Sequence, residues 1–229
     1  MLYCIGDLHL SLAGGKEMDV FGGGWVDYVK KIEASFSKLS EEDTIVLCGD
    51  TSWGMSLEQA LPDFEFLERL PGRKILLKGN HDYFWETATK MKRFFAEHSL
   101  TKLDVLFNNA FLYGTGALCG TRGWFFEEEK GNFSKVFNRE LIRLRATLEA
   151  GRRLTDGELV AFLHYPPLYD AFRCDEMIAI LKEFDVKRCY YGHLHGYGRA
   201  KAVEGLREGI DFRLISADNV HFTPVPLVL

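Results

Sequence analysis

Nowhere does this chain of 229 residues carry eighteen apolar residues in succession, so no membrane-spanning helix is expected. No basic segment and apolar stretch precede the first strand-like run, "MLYCIGD", so no secretory leader is expected either. Cysteine is scarce and odd in number, five in all, with no CxxC pair, which argues against a disulfide framework and for a reducing compartment. Cys4, Cys48 and Cys189 lie in apolar runs, where cysteine behaves as a small buried hydrophobe. The simplest expectation is a cytoplasmic protein with no membrane partner.

Positive charge is also short. Lysine plus arginine number 28 against 33 acidic residues, a net charge of −5, and no basic run offers the footprint of a duplex nucleic-acid binder. Bound metal could neutralise part of that acidity. Internal repeats, low-complexity segments and an interdomain linker are absent too, so residues 1–229 are expected to form one domain. Nearly half the residues are hydrophobic, enough for a substantial core.

What is present is a set of short apolar runs at 2–5, 44–48, 74–77, 159–163 and 188–191. Amphipathic segments separate the first four, which predicts parallel βαβ construction and an α/β fold. Val29, Ile32, Phe36 and Leu39 at helical spacing predict a helix within 25–39. Ser56 with Gln59 three residues on predicts a capped helix start, although Pro62 would break or kink it. Residues 86–98 predict another helix and 103–120 short strands with Asn and Gly turns. Phe137, Leu141, Leu144 and Leu148 mark the buried stripe of a long helix, with Arg139, Arg143 and Arg145 on a solvated face. The tail, 211–229, reads as a hairpin turning at Asp218-Asn219.

Each of the five runs ends in similar chemistry: Gly6-Asp7-Leu8-His9, Gly49-Asp50, Gly79-Asn80-His81-Asp82, His164-Tyr165-Pro166-Pro167 and Gly192-His193-Leu194-His195-Gly196. In an open α/β sheet, ligands bind beyond the carboxyl ends of the strands, so these clusters would converge on one crevice. Five of the seven histidines sit in them, more than solubility explains. Asp7/His9 and His193/His195 are i, i+2 pairs, which at a strand end point to one face. Asp, His and Asn without cysteine suit Mn, Fe, Zn or Ni. Seven candidate ligands exceed one ion's need; two ions sharing a bridging carboxylate, about 3.5–4 Å apart in such sites, would use them all.

The ordered blocks D-x-H, G-D, G-N-H-D, a later histidine and G-H-x-H resemble the calcineurin-like metallophosphoesterase superfamily over residues 2–196. The resemblance implies a four-layer αββα sandwich with a dinuclear metal site at the C-terminal strand ends. It implies Asp7, His9 and His195 on the first metal, Asn80, His164 and His193 on the second, and Asp50 between them. It further implies a metal-bridging hydroxide as nucleophile. His81 would be a catalytic residue that leaves metal alone and, as imidazolium, stabilises developing charge or protonates the leaving oxygen.

One block departs from the pattern. Many members read G-D-x-x-D, and in protein phosphatases the second aspartate orients the catalytic histidine, with an arginine after it that grips phosphate. Here "GDTSWGM" places Trp53 and Gly54 there. The orienting role is left to another group, with Asp82 next in sequence, and a typical Ser/Thr protein phosphatase is disfavoured.

Two further segments could touch substrate. In 19–28, which is no Walker loop, Phe21 or Trp25 could stack on a base from a mobile lid, or Trp25 could simply begin a helix's core face. In 120–129, Arg122 could clamp a phosphate and Trp124 to Phe126 could form an apolar wall. The expectation is hydrolysis of a small phosphomonoester or phosphodiester, such as a nucleotide. A nuclease or cyclic-nucleotide phosphodiesterase is the alternative among enzymes, and a non-catalytic protein-binding scaffold the alternative outside them. The scaffold would have no need of the ligand set.

Overall fold

The computed structural model describes residues 1–16, 18–123 and 133–229. The expected wall at Trp124 to Phe126 lies outside the described residues, as does the side chain of Phe21.

In chain order, β1 (Leu2–Ile5) leads through α1 (Tyr28–Phe36) to β2 (Thr44–Leu47), and α2 (Leu57–Arg69) to β3 (Arg73–Leu77). Next come α3 (Ala88–Glu97), β4 (Leu103–Leu106), β5 (Ala110–Tyr113), β6 (Gly116–Thr121), α4 (Phe133–Leu154) and β7 (Leu159–Leu163). Two short strands, β8 (Leu168–Tyr169) and β9 (Phe172–Arg173), precede α5 (Asp175–Glu183) and β10 (Arg188–Tyr191). The chain closes with β11 (Gly205–Arg207), β12 (Ile210–Leu214) and β13 (Val225–Leu227).

Two mixed, mostly parallel sheets result, in the orders β13-β1-β2-β3-β4 and β11-β12-β10-β7-β6-β5. Antiparallel β13, β11 and β5 lie at edges, and the strands between run parallel. Strand alternation divides the apolar residues between layers. Cys4, Val46, Ile75, Leu77, Val160, Phe162 and Tyr190 pack in one cluster between the sheets. Their neighbours Ile5, Ile45, Leu47 and Leu76 face outward onto Ile32 and Phe36 of α1, Phe64 of α2 and Phe95 of α3. On the far side, Leu159, Ala161, Cys189 and Tyr191 meet Leu144 and Leu148 of α4 and Met177 and Leu181 of α5. Three apolar seams therefore hold four layers, αββα. Each fully buried leucine or phenylalanine in them contributes about 1.5–3 kcal/mol.

Ser56 caps α2, its hydroxyl accepting the Gln59 amide at 3.3 Å, and the helix runs unbroken through Pro62. A proline there forfeits one intrahelical bond, to the Glu58 carbonyl. The buried face of Leu57, Ala60, Phe64 and Leu67 outweighs that loss.

The tail differs from the expected hairpin. β12 belongs to one sheet and β13 to the other, where β13 pairs with β1. The crossing is at Ser216, where Gly6 donates to the Ile215 carbonyl at 2.8 Å and accepts from the Ala217 amide at 2.9 Å. That crossing fastens the C-terminal end of β1 to that of β12. Arg143 also departs from the solvated role, pairing with the fully buried Glu140 and covering the Phe107 ring at 5.1 Å.

Candidate metal centre

The motif residues lie beyond the C-terminal ends of β1, β2, β3, β7 and β10, in one crevice. They reach it by a route that strand alternation does not describe. β1 ends at Ile5 and β10 at Tyr191, so Asp7, His9, His193 and His195 are past the strands. Asp7, His9, Asp50 and His193 adopt left-handed backbone, with φ of 56°, 48°, 49° and 70°. Such conformations are sparsely populated outside glycine and cost of order 1–3 kcal/mol each. The i, i+2 argument for a shared face therefore fails; sharp turns just past each strand aim the side chains inward. Close packing forces glycine beside them. Gly49 has φ of 89°, and a Cβ there would sit 2.7 Å from Gly79 Cα and from His164 Nδ1.

One ligand atom each from Asp7, His9 and Asp50 lies within 4.8 Å of the others, and so does one each from Asp50, His164 and His193. Asp50 belongs to both groups. Its Oδ1 accepts the His81 amide at 2.7 Å, while Oδ2 is buried without a hydrogen-bond partner among the described residues, 3.8 Å from His9 Nε2 and 3.5 Å from His164 Nε2. Both ring nitrogens of the buried His9 also lack hydrogen-bond partners among the described residues. Asn80 joins the second group, its Oδ1 lying 2.6 Å from His164 Nε2 and 3.0 Å from His193 Nδ1. The His195 ring sits 5.3 Å from the ring of His9.

His164 supplies the sharpest test of fit. Its Nδ1 lies 3.0 Å from the Cys48 carbonyl, which only accepts, so Nδ1 carries the proton. Nε2 then presents a lone pair to Asn80 Oδ1 and Asp50 Oδ2, which are acceptors too. Three acceptors facing one another call for a cation, and a metal-ligating histidine characteristically donates its other nitrogen to a carbonyl.

The electrostatics agree. Burial raises Asp7 to about 8, only partly offset by the His193 amide that its carboxylate accepts at 2.9–3.0 Å. Burial, with Asp82 and Asp7 nearby, raises Asp50 as well. Burial and neighbouring histidines hold His9 and His164 well below the usual imidazole value, and His193 at about 3. Neutral imidazoles and crowded carboxyls suit divalent cations, which favour the carboxylate form.

His81 stands beside this cluster, its ring centroid 5.9 Å from that of His9 and 4.5 Å from that of Trp53. Trp53, where the family pattern often has aspartate, also stacks on His9 at 4.9 Å and carries the Lys16 ammonium 3.7 Å above its ring centroid. His81 Nδ1 lies 3.1 Å from the Tyr83 hydroxyl. Burial, then Lys16 and His195, draw His81 down to about 4, so its resting form near neutrality is the imidazole and not the imidazolium. Asp82 turns away from it and accepts four backbone amides, those of Gly79, Asp50, Thr51 and Ser52.

Trp25 is almost fully buried, its ring packed on Tyr28 and Phe222 behind His9 and His195. That is the core-face alternative, and it leaves the ring no free face for a base. Arg122 lies one ring from the centre: its guanidinium is 5.9 Å from the Tyr165 ring centroid, and Tyr165 packs on His193 at 4.5 Å. Tyr83, Lys16 and Asp218 were not singled out for the site by the sequence. Asp218 accepts the Gly196 amide at 2.7 Å beside His195, a contact between residues 22 apart that no local motif signals.

The family model for calcineurin-like phosphoesterases matches residues 2–197. No curated protein matches the chain. Among solved structures, it is similar to AQ665 from Aquifex aeolicus, described as a protein of unknown function. That match has 17% identity and a TM-score of 0.50 over 98% of this chain and 94% of that one. It is also similar to TT1561 of Thermus thermophilus, at 11% identity and a TM-score of 0.54 over 85% of this chain and 81% of that one. Likeness at such identities concerns the fold alone.

Proposed function

The chain belongs to the calcineurin-like phosphoesterase family, and from that premise we propose that it hydrolyses a small phosphomonoester or phosphodiester, using two divalent metal ions that share Asp50. The observation that carries the reading is Asp50 Oδ2, buried, without a hydrogen-bond partner among the described residues and facing both His9 and His164. Asp7, His9 and His195 would complete one site, and Asn80, His164 and His193 the other. Bound there, the ions would polarise a phosphoryl oxygen and make a water acidic enough to ionise near neutral pH.

The protein's own groups prepare that chemistry. The Cys48 carbonyl fixes the tautomer of His164, and Asp82 holds the backbone that presents Asp50. The hydrogen bond between His81 Nδ1 and the Tyr83 hydroxyl orients the ring with Nε2 free for substrate, and the Trp53 ring limits tilt. From Nε2 the imidazole hydrogen-bonds the phosphoryl or leaving oxygen. The negative charge of an arriving phosphate raises the histidine's proton affinity; the imidazolium so formed would pass its Nε2 proton to the leaving oxygen and return to the neutral ring. Lys16 adds positive charge on the same side.

A small substrate is supported by the cleft beside Lys16 and Trp53, about 390 Å³, and by the lack of a basic run. The test is hydrolysis of a chromogenic phosphomonoester and the matching phosphodiester with Mn²⁺ supplied. Turnover of either, lost in Asp50→Asn, supports the reading, and the faster of the two sets the class. Failure on both with Mn, Fe, Zn and Ni each supplied would contradict it.

A further inference from the structure

A second cleft, about 420 Å³, opens along the same edge of the sandwich. It is lined by Lys78 just past β3, Phe107 just past β4, Arg122 just past β6, Arg143 of α4, and Trp85 and Thr87 before α3. None of its cations serves the metal centre. Residues at that depth in a parallel sheet occupy the ligand-binding edge, and Lys78 is two positions from Asn80.

Among the described residues, the charges do not cancel within the cleft. Buried Glu140 pairs with Arg143 and lies 3.8 Å from Arg122, so one carboxylate answers three cations. Glu86 on the rim is held by Lys90 at 3.2 Å, and Asp82, the other acid near Lys78, is engaged by its four amides. Among the described residues about two positive charges are left over, which suits a phosphate dianion better than a carboxylate. Two buried donors among the lining residues, Arg122 Nε and Trp85 Nε1, have no acceptor among the described residues. A buried N–H without a partner is costly.

We propose that this cleft binds a second phosphate of the substrate, held by Lys78, Arg122 and Arg143 while the scissile phosphoester occupies the metal centre. The proposal rests on the phosphoesterase reading for the first phosphate alone. Tyr165 contacts both Arg122 and His193, and a substrate carrying two phosphates on one carbon skeleton, such as a sugar or nucleoside bisphosphate, would serve both places.

Two measurements test it. Phosphate release from 1,6-hexanediol bisphosphate and from hexyl phosphate is compared in the Mn²⁺-loaded enzyme. Separately, inorganic phosphate is titrated calorimetrically into metal-free protein. Lys78→Met and Arg122→Gln are used because they leave the Arg143–Glu140 pair intact. Wild-type enzyme is expected to favour the bisphosphate by about tenfold or more in kcat/KM, and both variants to lose most of that ratio. Both should weaken phosphate binding by about tenfold. A wild-type preference no larger than the statistical advantage of two equivalent phosphates would overturn the proposal, as would phosphate binding unchanged in both variants. Should neither ester be hydrolysed while phosphate binding still depends on Lys78 and Arg122, the cleft stands as an anion site and the phosphoesterase reading fails by itself.

Discussion

The carboxylate of Asp82 accepts the backbone amide of Asp50 at 2.9 Å, and with it the amides of Gly79, Thr51 and Ser52 at 2.7, 2.8 and 3.3 Å. Asp82, next in sequence to the proposed catalytic His81, thus frames the proposed shared metal ligand, Asp50. Asp82→Ala leaves these amides without their acceptor and is expected to cost roughly 2–5 kcal/mol, read from chemical denaturation. Asp82→Asn, which keeps one acceptor oxygen, should fall between the two. An Asp82→Ala protein of wild-type stability and metal affinity would refute the framing role.

Removing metal should invert the usual dependence of stability on pH. Asp7 and Asp82 have folded values near 8 and 6 against an ordinary 3.8, because burial penalises their charge. The metal-free native state therefore holds protons that the unfolded chain has released. Below about pH 6.5 the buried histidines, neutral in the fold but protonated in the unfolded chain, oppose this effect. The carboxyls are therefore read above it: stability falls as pH rises from about 6.5 toward 8, by about 1.4 kcal/mol per pH unit for each carboxyl still protonated. Thermal melts in chelator should show this decline, and Mn²⁺ should abolish it. Asp50→Asn, with one crowded carboxyl removed, should melt higher than wild type at pH 8 in chelator. A flat profile in chelator would show that the carboxyls are not crowded.

Gly79 lies against Asp50, and a Cβ there would collide with Asp50 Oδ1 and its amide nitrogen. Gly79→Ala should displace the shared ligand and weaken Mn²⁺ binding by about tenfold or more in calorimetry. Gly23→Ala, where a Cβ meets nothing within 4 Å, is the matched control and should bind as wild type. Equal affinities in the two variants would count against Asp50 as a ligand.

His81→Ala is expected to keep its metal content and lose about 10²–10⁴-fold in kcat on an ester with a poor leaving group. Tyr83→Phe, which removes the partner of His81 Nδ1, should lower kcat about tenfold, leave KM unchanged and displace the pH profile. Wild-type turnover in His81→Ala would end the acid role. An unmoved pH profile in Tyr83→Phe would reduce Tyr83 to a bystander.

The strand-end clusters were legible because residue type and order are local properties. The five apolar runs became β1, β2, β3, β7 and β10, and their ends meet. What the sequence hid was conformation and long-range contact. Asp7, His9, Asp50 and His193 converge through left-handed turns that period-two reasoning cannot represent. Trp25 lies in a glycine-rich loop yet is buried by Tyr28 and Phe222, the latter nearly two hundred residues away. The tail was misread because its turn chemistry is real while its strands join different sheets. Arg143 looked solvated because nothing nearby in sequence revealed that Glu140 is fully buried. Trp53 was visible as a departure from the pattern; its contacts with His9, His81 and Lys16 emerge only in three dimensions.

The central claim is that Asp50 joins two metal ions, and electron paramagnetic resonance of the Mn²⁺-loaded protein tests it without any substrate. The account predicts two ions per chain and an exchange-coupled spectrum that Asp50→Asn converts to the six-line signal of isolated Mn²⁺. Binding of one ion only, or an uncoupled six-line spectrum in the wild-type protein at full loading, would contradict it.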